Sequence, residues 1–169
     1  MPERPTPSHA LPAEPDAPVI EWSTSGGLGG GGNGPDLTVR ADGRVELSER
    51  FGGGRRVEDR IPEPRLQSLL RSVVDEHRFF ALDPAAIEAE VADRRPSGGA
   101  GEALAVPLGP PYADAGTTRI AVAADGRRHE VAYHGLFAAA REHPDVRDLA
   151  DLRAVEHELL GLAEEIARR

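Results

Sequence analysis

Along residues 63–80, EPRLQSLLRSVVDEHRFF, the side chains of Leu66, Leu69, Leu70, Val73, Val74 and His77 recur at the three-and-four spacing of one helical face. Arg65, Gln67, Ser68, Arg71, Asp75 and Arg78 make the opposite face polar. A helix with one apolar stripe must bury it, and the segments on both sides alternate in the manner of strands, so the pattern predicts a helix laid over a sheet. Pro62 and Pro64 open this helix, and Pro84, which disfavours helical geometry at Asp83, predicts its end near Ala81 or Leu82.

Residues 19–24 alternate, with Ile20, Trp22 and Thr24 on one face, and run into the loop 25–34, SGGLGGGGNG. Residues 36–41 and 44–50 flank Asp42-Gly43, a dipeptide that tolerates the positive φ of a tight hairpin turn. Leu37, Val39, Val45 and Leu47 would fill the inward face of that hairpin. A turn at 51–54 returns the chain through 55–61, where Val57 and Ile61 keep the alternation. Asp83 is placed to cap a short helix over 84–92. Residues 117–123 and 127–134 form another hairpin about Asp125-Gly126, and its Ala-Asp-Gly-Arg turn repeats residues 41–44 letter for letter. A short helix at 135–142 and a long one at 146–168 complete the chain, the latter apolar at Leu149, Leu152, Val155, Leu159, Leu162 and Ile166. The expected fold is therefore α+β: an antiparallel sheet of about five or six strands built from hairpins, packed against a central and a C-terminal helix.

Residues 1–18 are Pro-rich and aperiodic and read as a disordered or extended leader. Residues 19–169 read as a single domain, interrupted by a Pro- and Gly-rich flexible insertion at 93–116. Composition narrows the chemistry. All twenty positive residues are Arg and none is Lys, which excludes Schiff-base lysine chemistry and a phosphate-gripping P-loop lysine. The chain has no Cys, hence no disulfide, thiol nucleophile or thiolate metal site. A formal charge of -9 disfavours nucleic acid and anionic lipid as partners. With no apolar run resembling a signal peptide and no segment of transmembrane length, the expected location is the cytoplasm.

Gly27 to Gly32 satisfies the Gly-x-Gly-x-x-Gly pattern, but a strand follows it where a dinucleotide site needs the amino end of a helix. His129 and His134 sit at odd and even positions of one strand and face opposite sides, so they cannot share a metal. His77, in the apolar stripe, reads as a histidine at the edge of the core. His143 and His157 lack HExxH spacing, and Ser23, Ser25 and Ser97 lack a nucleophile-elbow context. The many Asp and Glu residues lie mostly on polar faces and read as solvated surface. No catalytic residue, cofactor site or metal site is expected.

The order strand, Ser25-Gly26-Gly27-Leu28-Gly29, hairpin, then Leu66, Leu69, Leu70 and Val73 running into Arg78-Phe79-Phe80-Ala81-Leu82, is similar to small bacterial proteins of the emfourin type. So are residues 118–122, TRIAV, and 125–131, DGRRHEV. The resemblance covers about residues 19–133 and implies a protein inhibitor of thermolysin-like metalloproteases, with the same layout shared by many uncharacterised relatives. Extra glycines stretch the loop here, and Leu28 stands where the family usually has an aromatic residue. Three functions follow. The first is a non-catalytic protein-binding module that contacts its partner through Ser25, Gly26, Gly27, Leu28 and Gly29. The second is a regulatory or interaction protein of the same fold without a protease target, and the third is an enzyme with a site in the 93–116 segment.

Overall fold

The computed structural model describes residues 8–26, 34–94 and 115–169. Among these residues six strands form in chain order: β1 (Pro18–Ser25), β2 (Leu37–Arg40), β3 (Arg44–Leu47), β4 (Val57–Arg60), β5 (Thr117–Ala124) and β6 (Arg127–His134). They join in one sheet of order β4-β3-β2-β1-β5-β6 with every neighbouring pair antiparallel. β1 is the spine, pairing with β2 on one side and β5 on the other. Its alternation sets the faces of the whole sheet. Ile20 stands beside Val39 and Val122, and Trp22 beside Leu37 and Ile120, all of them buried. Glu21, Ser23, Thr38, Arg119 and Glu130 take the other face.

The helices cover the inward face. They are α1 (Glu63–Arg71), α2 (Pro84–Asp93), α3 (Leu136–Glu142) and α4 (Arg147–Ala167). Thr118 of β5 donates its hydroxyl to Glu156 of α4, the ring of His129 in β6 meets the carbonyl of Leu82, and Arg169 pairs with Asp59 of β4. All three strand residues belong to the inward set. α4 buries the apolar stripe predicted for it, and Asp83 caps α2 by accepting from the Ala85 N–H at 3.0 Å.

The central helix departs from its predicted span. α1 buries Leu66, Leu69 and Leu70, but Ser72–Glu76 widens into a π turn, and Arg78 adopts left-handed geometry at φ +49° before a 3-10 turn at Phe79–Ala81. Continued as an α-helix, the stripe would have led to Phe80. The break sends Phe79 fully into the core and leaves Phe80 half-buried under the guanidinium of Arg127. A tertiary contact holds the break: Arg78 Nη2 donates to Asp148 at 2.7 Å and Asp151 at 2.9 Å, both on α4.

Two hairpins with the same turn letters fold differently. Between β2 and β3 the Val39–Val45 register leaves three loop residues inside an Arg40–Arg44 closure, and only Gly43 has positive φ. Between β5 and β6, Ala124 pairs with Arg127, so Asp125 (φ +55°) and Gly126 (φ +69°) make a two-residue turn of the primed kind. Gly43 is confined as well as left-handed. A Cβ there would stand 2.4 Å from the carbonyl oxygen of Ile61.

The expected leader through residue 18 also differs. Residues 1–7 lie outside the described residues, but from Ser8 the chain is fastened across one end of the sheet. Ala10 and Asp125 exchange hydrogen bonds, the Asp42 N–H donates to Pro15 O, the Ala41 N–H donates to Ala17 O, and Leu11 packs against the core. These backbone groups find partners on elements remote in sequence, which no local period reveals. Of the expected insertion at 93–116, residues 95–114 lie outside the described residues.

Candidate binding surface at the loop end of the sheet

β1 ends at Ser25, which pairs with Thr117 at the start of β5. Gly26 follows with φ +86°, a conformation that favours glycine, and its Cβ position would lie 3.8 Å from Gly116 Cα. The chain leaving β1 at Gly26 and the chain entering β5 at Ala115–Gly116 therefore lie side by side at one end of the sheet. Of the five residues expected to contact a partner, Ser25 and Gly26 are placed at this end. Gly27, Leu28 and Gly29 lie outside the described residues.

One carboxylate organises the platform at that end. Asp36 is 3% exposed, and it accepts from the Thr24 N–H at 2.8 Å, the Thr24 hydroxyl at 3.1 Å and the Ser48 hydroxyl at 3.0 Å. Its own N–H donates to Trp22 O, and its carbonyl accepts from the Ser48 N–H. Arg50 closes the group, donating to Thr24 Oγ1 at 2.8 Å and approaching Asp36 to 3.8 Å. The loop-side ends of β1, β2 and β3 are thus tied to one buried carboxylate satisfied by donors. Trp22 and Phe51 pack at 5.2 Å below, with Arg50 over the Phe51 ring.

Beside the platform, the outward face of the sheet, on which no helix lies among the described residues, forms two shallow, open clefts that meet at Glu21, Gly34 and Pro35. One, of about 350 Å³, runs over Ser23 and Ala121 between Arg119, Arg128 and Glu130. The other, of about 530 Å³, lies among Arg40, Glu46, Arg50 and Arg56. Their charges are largely paired: Arg128 donates to Glu21 at 2.9 Å, Arg119 pairs with Glu130, and Arg40 with Glu46 at 2.5 Å. The Arg40 hydrogen bond holds the Glu46 carboxyl below its ordinary range, burial opposing it.

Ser25, Thr117 and His134 stand in a row across β1, β5 and β6, and Thr117 Oγ1 lies 3.2 Å from His134 Nδ1. That pair is exposed to water, without the exclusion of solvent that strengthens electrostatic activation of a hydroxyl. His129, on the opposite face, stacks edge-on to Phe79 at 5.6 Å. Among the described residues, no group of His, Asp and Glu is arranged to hold a metal ion, and no helix is long and apolar enough to cross a membrane.

Sequence reading missed two buried acids. A solvated surface accounts for most of the acids, whereas Asp36 and Glu156 are buried and hydrogen-bonded, Glu156 by Thr118 and by Arg153 at 2.6 Å. Glu156 had a signal: it sits one position from Val155 and three from Leu159, at the border of the apolar stripe. Asp36 had only its place between Pro35 and a strand. Comparison with protein-family models, curated proteins and solved structures finds no match. The resemblance to emfourin-type inhibitors therefore rests on the residues quoted for it.

Proposed function

We propose that this chain is a non-catalytic protein-binding module of the cytoplasm, and that its contact surface is the loop end of the sheet, with Ser25, Gly26, Gly27, Leu28 and Gly29 entering a partner's cleft. The observation that carries the reading is the Asp36 network. It holds both stems of the β1–β2 connection on a rigid base, which reduces the ordering cost that a glycine-rich contact loop would otherwise impose on binding. Function carried on a connection positioned by a firm scaffold is a common division of labour. Glycine lets backbone enter a narrow cleft and offer N–H and C=O groups there, and Leu28 adds an apolar anchor.

A thermolysin-like metalloprotease is the partner that the sequence resemblance proposes. The test is inhibition of such proteases by the purified chain, alongside pull-down of partners, comparing wild type with Leu28→Asp and with deletion of Gly29 to Gly32. Loss of inhibition in both variants, with melting unchanged, supports the contact role. Unchanged inhibition would move the contact elsewhere. No inhibition of any protease, with another protein captured through the same loop, would favour an interaction protein without a protease target.

A further inference from the structure

At the opposite end of the sheet from the glycine-rich loop, the chain entering β1 is fastened by a histidine set between two carboxylates. The backbone of His9 is held first: its N–H donates to Gln67 Oε1 at 2.8 Å, and its carbonyl accepts from Gln67 Nε2 at 3.0 Å. Its ring, whose side chain is 10% exposed, then reaches two different elements. Nδ1 lies 2.7 Å from Asp125 Oδ2 in the β5–β6 turn, and Nε2 lies 3.3 Å from Asp75 Oδ2 in the π turn. Asp125 also accepts the Ala10 N–H through its other oxygen at 2.7 Å.

A neutral imidazole has one donor and one acceptor, and both sides of this ring face an acceptor. Whichever tautomer forms, one nitrogen turns its lone pair toward a carboxylate. Nε2 shows the problem directly: it is buried, makes no hydrogen bond, and has Asp75 as its ion-pair partner. Only the imidazolium places a proton toward both acids. The charged groups bearing on this site are Asp75 from the π turn, Asp125 from the hairpin turn and Arg127, which acts on Asp125.

We propose that residues 8–17 are a proton-dependent strap, fastened across the turn end of the sheet when His9 is protonated and released when it is not. The acids are half-exposed, at 50% for Asp75 and 42% for Asp125, so the contact is open to solvent protons and reversible. Release frees the Ala41 and Asp42 N–H groups from Ala17 and Pro15 and lifts Leu11 from the core. It leaves the Asp36 platform at the far end untouched, so the strap operates independently of the contact surface proposed above.

Hydrogen–deuterium exchange of the full chain, corrected for the intrinsic pH dependence of amide exchange, tests this at about pH 5.5 and about pH 8.5, on either side of the range in which histidine charge changes. Protection of residues 9–17 should fall several-fold at the higher pH, the scale expected for one partly exposed ion pair. Amides in the β1–β5 pairing should hold their protection. His9→Gln should give a weakly protected strap with no pH response, and Asp75→Asn a smaller response than wild type. Wild-type strap protection equal at the two pH values, or an unchanged fall in either variant, would overturn the proposal. Should His9→Gln lose core protection, wild type and Asp75→Asn decide the question.

Discussion

The two ends of the sheet are closed by different electrostatics. At the loop end, Asp36 is buried and meets neutral donors from Thr24 and Ser48, with Arg50 behind them. At the turn end, two half-exposed acids face the two ring nitrogens of one histidine. A buried carboxylate with satisfied hydrogen bonds is costly to disturb and holds its geometry, whereas an exposed ion pair contributes little and exchanges readily. One end is built to stay fixed beneath a connection, the other to open.

Asp36→Ala should break the contrast most severely. It strands the Thr24 N–H and the Ser48 hydroxyl together, at a cost of about 3 kcal/mol read by urea denaturation. Asp36→Asn, which retains one acceptor oxygen, should recover part of that loss. A cost no greater than that of altering His9 would mean the loop end is not the firmer one.

Two glycines sharpen the comparison. Gly43 and Gly26 have nearly the same φ, +84° and +86°, but alanine at 43 meets the Ile61 carbonyl, whereas among the described residues alanine at 26 meets nothing closer than 3.8 Å. Gly26→Ala should cost about 1 kcal/mol, the conformational penalty alone. Gly43→Ala should cost about 2 kcal/mol or more, because backbone strain joins that penalty. Thermal melts of the pair measure the difference directly.

His9→Gln should lower stability by about 1 kcal/mol or less in mildly acidic solution, given the exposure of its partners. The acid side behaves differently. Hydrogen bonds from His9 and the Ala10 N–H hold the Asp125 carboxyl below its ordinary range. A lowered carboxyl stabilises the fold fully above its unfolded value and loses that contribution as pH falls through the folded one, so the strap should loosen again in strong acid. Exchange of residues 9–17 followed downward from about pH 5 would show protection falling twice, once on each side of an optimum.

The smallest effect belongs to the bridge between α1 and α4. Arg65 and Arg169 hold the Glu165 carboxyl down to about 2, so this bridge persists until pH falls through that value. Glu165→Gln should remove this acid-side inflection from a melting-temperature profile while leaving strap protection unchanged. A shift in strap exchange would link the helix pair to the turn end.

Most elements were legible because their causes are local. The Asp83 cap, the stripe of α4 and the two Asp-Gly hairpins each depend on residues within a few positions. The alternation of β1 likewise foretold that Ile20 and Trp22 would share the buried face. At the candidate surface, the sequence marked Ser25 and Gly26 as the exit of a strand, but not the carboxylate that secures it.

What the sequence determined by itself was therefore the α+β class, the order of elements and the faces they bury, since periodicity and turn chemistry act over one or two turns of chain. Tertiary structure alone decided where the central helix stops, because the acids that hold left-handed Arg78 lie seventy and seventy-three residues away on α4. It also decided that identical Ala-Asp-Gly-Arg segments make different turns, and that a Pro-rich stretch becomes a strap. His9 meets Asp125 across 116 positions, and a contact that distant leaves no period in the chain because its partners are brought together only by folding.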